Sequence, residues 1–143
     1  MTEAPPVDTA RLMEALWLSF GVYYGDFTIA AASENLTASQ GKALVVLRRG
    51  PVAMRALAEI MACDASNVTG IIDRLEKRGL VRREPSASDR RVTNLVITAA
   101  GEQLTDAIHA KMHTTRDGLD RLTGADQAQL HALLKRAFGP RPE

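Results

Sequence analysis

The chain has 143 residues, 45% of them hydrophobic and 24% charged, with 10 Gly, 6 Pro, 1 Cys and a formal net charge of +1. That size fits one domain, or one domain with an oligomerising extension, and the composition excludes wholesale disorder. The lone cysteine excludes a disulfide framework and a Cys-rich zinc site, and no apolar run approaches the roughly 18 residues of a membrane span.

The opening MTEAPPVD is acidic and Pro-rich, unlike a signal peptide, so the chain reads as cytoplasmic. Both termini are expected to fray, the last segment being 139–143. From about Asp8 to Ser33, Leu12, Leu16, Phe20, Tyr23, Phe27 and Ala30 recur at helical spacing, and Met13, Trp17 and Tyr24 widen the stripe. Thr37, with Gln40 three residues on, has the form of a capping box opening a second helix that Gly50-Pro51 ends. A short third helix spans about Met54 to Met61. Asp64 is the expected N-cap of a fourth, from about Ala65 to Arg78, stopped by Gly79. The runs 80–84 and 92–97 alternate as β-strands around a polar loop and predict a hairpin. Thr98 caps a long fifth helix to about Leu122, and Thr123 with Asp126 opens a sixth. The fold expected is mainly α: six helices with a small β-hairpin, of which the middle part is a helix-turn-helix followed by a wing.

The outward positions at the start of the fourth helix are Ser66, Asn67, Thr69 and Gly70. Short polar side chains suit close approach to base edges in a major groove, and Asn can pair bidentately with adenine. Arg74, Lys77 and Arg78 follow, placed for phosphates. An ordinary solvated helix face is the alternative for that helix alone. The hairpin shifts the balance, because Ser66–Arg91 carries seven cations against four anions. Arg90 and Arg91 fall at the loop tip, and an Arg projected from a hairpin fits a narrow, negative minor groove. Asp89 is expected to orient the guanidinium there; a merely soluble loop is the alternative.

Leu57–Leu104 resembles the winged helix-turn-helix of the MarR family of bacterial transcription regulators. The resemblance rests on D-x-S-x-V-T at Asp64–Thr69 and D-R-L-E-K-R-G-L-V at Asp73–Val81. It continues with D-x-R at Asp89 and Arg91, L-x-I-T at Leu95–Thr98, Gly101, and L-T-x-x-Q at Leu36–Gln40. It implies a homodimer formed by the first, fifth and sixth helices, with 1–36 and 99–138 dimerising around a DNA-binding lobe at 37–98. The long first and fifth helices, more apolar than one winged helix can cover, point the same way. Two-fold symmetry implies a pseudo-palindromic operator with half-sites about one helical turn apart. By the same resemblance Ser66, Asn67, Thr69 and Gly70 are base-facing, Arg91 enters the minor groove with Asp89 as its salt-bridge partner, and Arg90 contacts the backbone. Many members carry a long polar residue where this chain has Gly70, so indirect readout or the wing carries more of the specificity.

Family members often release DNA on binding a small aromatic acid. Trp17, Phe20, Tyr23, Tyr24 and Phe27 are the candidates for lining such an effector pocket; dimer core is the alternative. Cys63 reads as a small buried hydrophobe, since the oxidant-sensing members place their cysteine near the N-terminus. His109 and His113, four apart, are a candidate metal pair for a metal-responsive regulator of the same fold. The zinc-sensing pattern has its other ligands where this chain has Gly41 and Lys42, leaving Asp106 or Glu34 as substitutes, so solvated histidines are the default and no metal or other cofactor is expected. His131 has no partner group visible in the sequence. No nucleophile set or phosphate-binding loop converges, so an enzyme is not expected. A winged helix used only for protein contact is the remaining alternative.

Overall fold

The computed structural model describes residues 6–140. Among them the elements are α1 (Thr9–Ser33), α2 (Ala38–Leu47), β1 (Val52–Ala53), α3 (Met54–Met61), α4 (Ala65–Lys77), β2 (Val81–Pro85), β3 (Thr93–Ile97), α5 (Ala99–Lys111), α6 (His113–Asp120) and α7 (Gly124–Phe138). They form two compact units. One runs from Phe27 to Lys111; the other combines the chain up to Asp26 with the chain from Met112 on.

In the Phe27–Lys111 unit, α2, α3 and α4 surround a core of Leu44, Leu47, Leu57, Val68, Ile72 and Leu75, closed by Val81, Leu95 and Ile108, all fully buried. Each such side chain contributes about 1.5–3 kcal/mol by leaving water. Phe27, Ala30 and Ala31 are buried here too, with the Phe27 ring lying over Gly41, where a Cβ would press on it. Caps define the helix starts. The Thr37–Gln40 capping box closes both ways, at 3.1 and 3.0 Å, and the Asp64 carboxylate accepts from the Asn67 amide at 2.8 Å.

Three helix ends share one device. After α1, α3 and α4 a left-handed residue lets two amides turn back onto the last carbonyls, the Schellman arrangement. Its left-handed residues are Asn35 (φ 58°), Ala62 (φ 53°) and Gly79 (φ 70°). The long closing bonds are Leu36 N to Ala31 O, Cys63 N to Ala58 O and Leu80 N to Leu75 O. The helix-turn-helix turn therefore holds an alanine where glycine costs less.

The expected hairpin is present, with Val81 paired to Ile97 and Pro85 to Thr93. It belongs to a three-stranded antiparallel sheet of order β1-β3-β2, because Val52 and Ala53 pair with Leu95 and Asn94. The sequence reading missed β1: two residues after Gly50-Pro51 carry no alternation, and their strand character comes from the distant partner.

The expected fifth helix is two helices, α5 in the Phe27–Lys111 unit and α6 in the other, so the described residues hold seven rather than six. The backbone breaks at Met112 (ψ 70°), and the Asp26 carboxylate on α1 accepts from the Thr115 amide at 2.8 Å. A side-chain acceptor from another helix thus replaces the missing ladder bond at the start of α6. That bond, first among several, holds the Asp26 carboxyl below the usual carboxylate range. The Thr123–Asp126 capping box opens α7. No residue of α6 or α7 is buried, and Trp17 of α1 is 72% exposed. No described helix is long and apolar enough to cross a membrane.

Candidate nucleic-acid interface

α4 buries Val68, Ile71, Ile72 and Leu75 and leaves the opposite face in water. That face opens with exposed Ser66, Asn67 and Thr69, then half-buried Gly70. The Ser66 hydroxyl donates to the Asp64 carboxylate at 2.8 Å, and the Thr69 hydroxyl donates back to the Ala65 carbonyl at 2.9 Å. Their oxygens remain acceptors. The Asn67 side chain makes no hydrogen bond among the described residues, so its amide keeps both donors and its acceptor. Gly70 faces open space: a Cβ there would meet nothing within 4 Å. Accepting from Asn67 N first and Ser66 second, the Asp64 carboxyl is held below its ordinary range.

The excess of cations read from the sequence is thinner in three dimensions. Arg82 pairs with Glu84 at 2.6 Å on its own strand. Arg83 pairs with Asp73 at 2.6 Å and Glu76 at 2.5 Å. Arg78 turns its guanidinium onto the Glu34 and Asn35 carbonyls, at 3.1 and 2.9 Å. Four cations of this segment form neither an ion pair nor a side-chain hydrogen bond among the described residues: Arg74 and Lys77 on α4, and Arg90 and Arg91 at the loop tip.

The tip is compact. Ser86 N donates to the Val92 carbonyl at 2.8 Å and Val92 N to the Asp89 carbonyl at 3.0 Å, which closes the loop. Among the described residues Asp89 forms no ion pair with a guanidinium, where the sequence led one to be expected. Its carboxylate accepts from the Arg91 main-chain amide at 3.0 Å, so it shapes the backbone that carries Arg91 and leaves the side chain in solvent. The physical reason is local: an Asp two residues ahead reaches the amide as an Asx turn more readily than a long side chain folds back.

The remaining candidates are dispersed. Trp17, Phe20, Tyr23 and Tyr24 are exposed on α1, where Phe20 stacks on Tyr24 with ring centroids 5.5 Å apart and Trp17 tilts against Phe20 at 6.3 Å. Phe27 is core. The break at Met112 puts His109 on α5 and His113 on α6, so the same-helix spacing that made them a chelating pair does not hold. The proposed substitute ligands are occupied: Asp106 by Arg48 at 2.7 Å, and Glu34 by Lys111. Burial, and secondly the Arg48 charge, push the His109 imidazole below its ordinary range. His131 is exposed on α7. Cys63 is half-buried, its thiol directed at the Met61 carbonyl at 3.4 Å.

Sequence reasoning missed the Arg83 clamp. A signal for it existed: side chains two apart on a strand share a face, so Arg83 lies on the side of buried Val81, while Arg82 and Glu84 point the other way.

Comparison with known proteins agrees with this architecture. The MarR family model matches residues 36–93. A putative transcriptional regulatory protein for the hcr operon of Thauera aromatica is 33% identical over 108 residues, covering 74% of this chain and 65% of the relative. The match spans half to about two thirds of the length of such curated relatives. A cysteine-to-serine mutant of MarR from E. coli, solved in complex with operator DNA, shares the fold at a TM-score of 0.62 and 22% identity, covering 90% of this chain and 94% of that one. CouR from Rhodococcus jostii RHA1, solved bound to p-coumaroyl-CoA, aligns at a TM-score of 0.67 and 27% identity over 90% of this chain and 93% of that one. By the helix-turn-helix, the three-stranded sheet and the family match, residues 36–93 form a MarR-family domain.

Proposed function

We propose that this protein is a sequence-specific double-stranded DNA-binding transcription regulator, a homodimeric repressor that a small aromatic effector releases from a pseudo-palindromic operator. The observation that carries the DNA reading is the division of charge in the lobe. Structural pairs consume Arg82 and Arg83, while Arg74, Lys77, Arg90 and Arg91 stay unpaired on the helix and hairpin that this reading makes reader and wing. Cations without internal partners are the ones free to replace counterions on phosphates or to enter a minor groove. The family supplies the precedent for operator binding.

The dimer reading rests on the apolar side chains that α1, α6 and α7 leave in water, among them Trp17, Leu133 and Phe138. The effector reading rests on the exposed ring ladder of Trp17, Phe20 and Tyr24 and on CouR, whose bound ligand carries a coumaroyl group. The test is selection of genomic fragments by the pure protein, followed by gel shifts with and without p-coumaroyl-CoA and simple phenolic acids. Retention of one family of palindromic fragments, and their release by an aromatic ligand, is the expected result. Indifference to every fragment at low ionic strength would leave a protein-contact module as the reading; retention that no ligand relieves would remove the effector.

A further inference from the structure

Helix α4 and strand β2 are joined by a very short covalent link, Arg78-Gly79-Leu80, whose left-handed glycine (φ 70°) is the natural pivot between them. A second connection spans the same pair. From the inward side of β2, Arg83 sends one guanidinium nitrogen to Asp73 at 2.6 Å and the other to Glu76 at 2.5 Å. Asp73 and Glu76 stand three apart on α4, on neighbouring positions of one helix face, where two carboxylates repel. A planar guanidinium is the side chain whose fork can satisfy both at fixed angles. The Arg83 side chain is only 29% exposed, against 57% for Asp73 and 41% for Glu76, so the fork is tucked between strand and helix rather than swinging in solvent. The hydrogen bond to Asp73 above all holds the guanidinium more firmly protonated than usual. Both carboxylates border Gly70, Arg74 and Lys77 on the open face of α4.

We propose that Arg83 is a positioning residue for DNA reading: by clamping β2 to Asp73 and Glu76 it fixes the angle between α4 and the wing, so that the groove contacts of the helix and those of Arg91 are made as one unit. The inference rests on the DNA-binding function proposed above. It gives Arg83 a role without any contact to DNA, and it makes the acidic residues of the α4 face part of the reading apparatus.

The clamp predicts coupling between sites that do not touch. On a fragment selected by the wild-type protein, Arg91→Ala is expected to raise Kd about tenfold. In an Arg83→Gln background the wing is no longer registered with the helix, and the same Arg91→Ala change is expected to raise Kd less than threefold. Arg83→Lys, which keeps the charge but loses the fork, should restore only part of the coupling. Asp73→Asn/Glu76→Gln/Arg83→Gln removes the clamp without leaving unpaired carboxylates near the phosphates, and it should behave as Arg83→Gln does. The salt dependence of nonspecific binding should be the same for Arg83→Gln as for wild type, since Arg83 releases no counterion. Should Arg83→Gln fold poorly, Asp73→Asn/Glu76→Gln opens the clamp from the other side and is read in the same cycle. Equal Arg91→Ala penalties in clamped and unclamped proteins would overturn the inference, as would recovery of full coupling in the neutral triple variant or a salt slope shallower by about one. A wild-type protein that selects no fragment would sink the DNA reading and this inference with it, whereas equal penalties on a well-bound fragment sink the clamp alone.

Discussion

At the scale of single residues, the α4 face separates side chains held by the fold from side chains left free. Ser66 and Thr69 have donated their hydroxyl protons to Asp64 and Ala65, so toward a base edge they can only accept. Asn67 is the one of the three that offers both donor and acceptor. Asn67→Ala is therefore expected to relax base preference while barely changing affinity for random DNA, and equal losses on selected and random fragments would contradict it. Gly70 is the opposite case. It sits in the interior of α4 with open space where a Cβ would go, so its flexibility serves no steric need within the lobe. Gly70→Ala should raise stability by about 0.5–1 kcal/mol through helix propensity alone. Thermal denaturation checks it, and a lowered Tm would mean that something in the native lobe requires the glycine. A tighter base approach than any side chain permits would show separately, as weaker binding of the selected fragment by the stabilised variant.

At the scale of elements, the junctions decide the geometry. The β3–α5 junction sits on the α4–β2 junction: Thr98 N donates to the Leu80 carbonyl at 3.0 Å, and the Thr98 hydroxyl donates to the Gly79 carbonyl at 2.6 Å. Gly101 completes the contact, because a Cβ there would collide with the Leu80 carbonyl oxygen and Ile97 Cγ1. Gly101→Ala is thus expected to destabilise by about 1–3 kcal/mol, the usual range for overpacking, and to lower Tm. An unchanged Tm would show that α5 can slide. This is the physical content of the Thr98 and Gly101 pattern: it seats the wing on its helix. The sequence disclosed elements wherever the determinant was local. Thr37 with Gln40, Asp64, Gly79 and Thr123 marked helix boundaries because a cap needs only its own turn. It hid what depends on a distant partner: β1 needs β3, the break at Met112 needs Asp26 from α1, and the Arg83 clamp needs two carboxylates on another element. In the candidate site the residues could be chosen from the sequence, but which cations were already paired could not, since pairing is set by the packed geometry. The caps also set the acid response. Asp26, Asp64 and Asp126 are all held below their ordinary range by hydrogen bonds at helix starts. Their stabilisation is complete above the unfolded value of about 3.9 and is lost as pH falls through the lower folded values. His109 is also shifted down, burial coming first, so the folded lobe prefers the neutral ring and loses stability as pH falls below about 6.5. Tm should therefore decline in two stages on acidification, and His109→Gln should abolish the upper one alone. A single acid limb, untouched by that substitution, would refute the assignment.

At the scale of the molecule, the two units pose different problems to water. The Phe27–Lys111 unit closes its own core, whereas the other leaves Leu12, Met13 and Leu16 of α1 and Leu133, Leu134 and Phe138 of α7 around an open apolar groove. A second copy brought up by two-fold symmetry would cover such surface and at the same time double the DNA contacts. The two effects can be separated. On α4 and the hairpin each lobe offers four cations without an internal partner, Arg74, Lys77, Arg90 and Arg91, so a dimer using these would release about eight counterions' worth of charge. The slope of log K against log salt would then approach about −7, and a single lobe would give about half of that. Leu16→Glu combined with Leu133→Glu places charge in the groove and is expected to yield a monomer by sedimentation, with its helical circular dichroism retained. Its salt slope should fall by about half, and its affinity for a palindromic fragment should fall far more than for a single half-site. A double variant that stays dimeric would move the interface off this groove. A monomer that keeps the full slope on the palindrome would mean that one lobe alone carries the charge contacts, and that dimerisation serves something other than DNA reading.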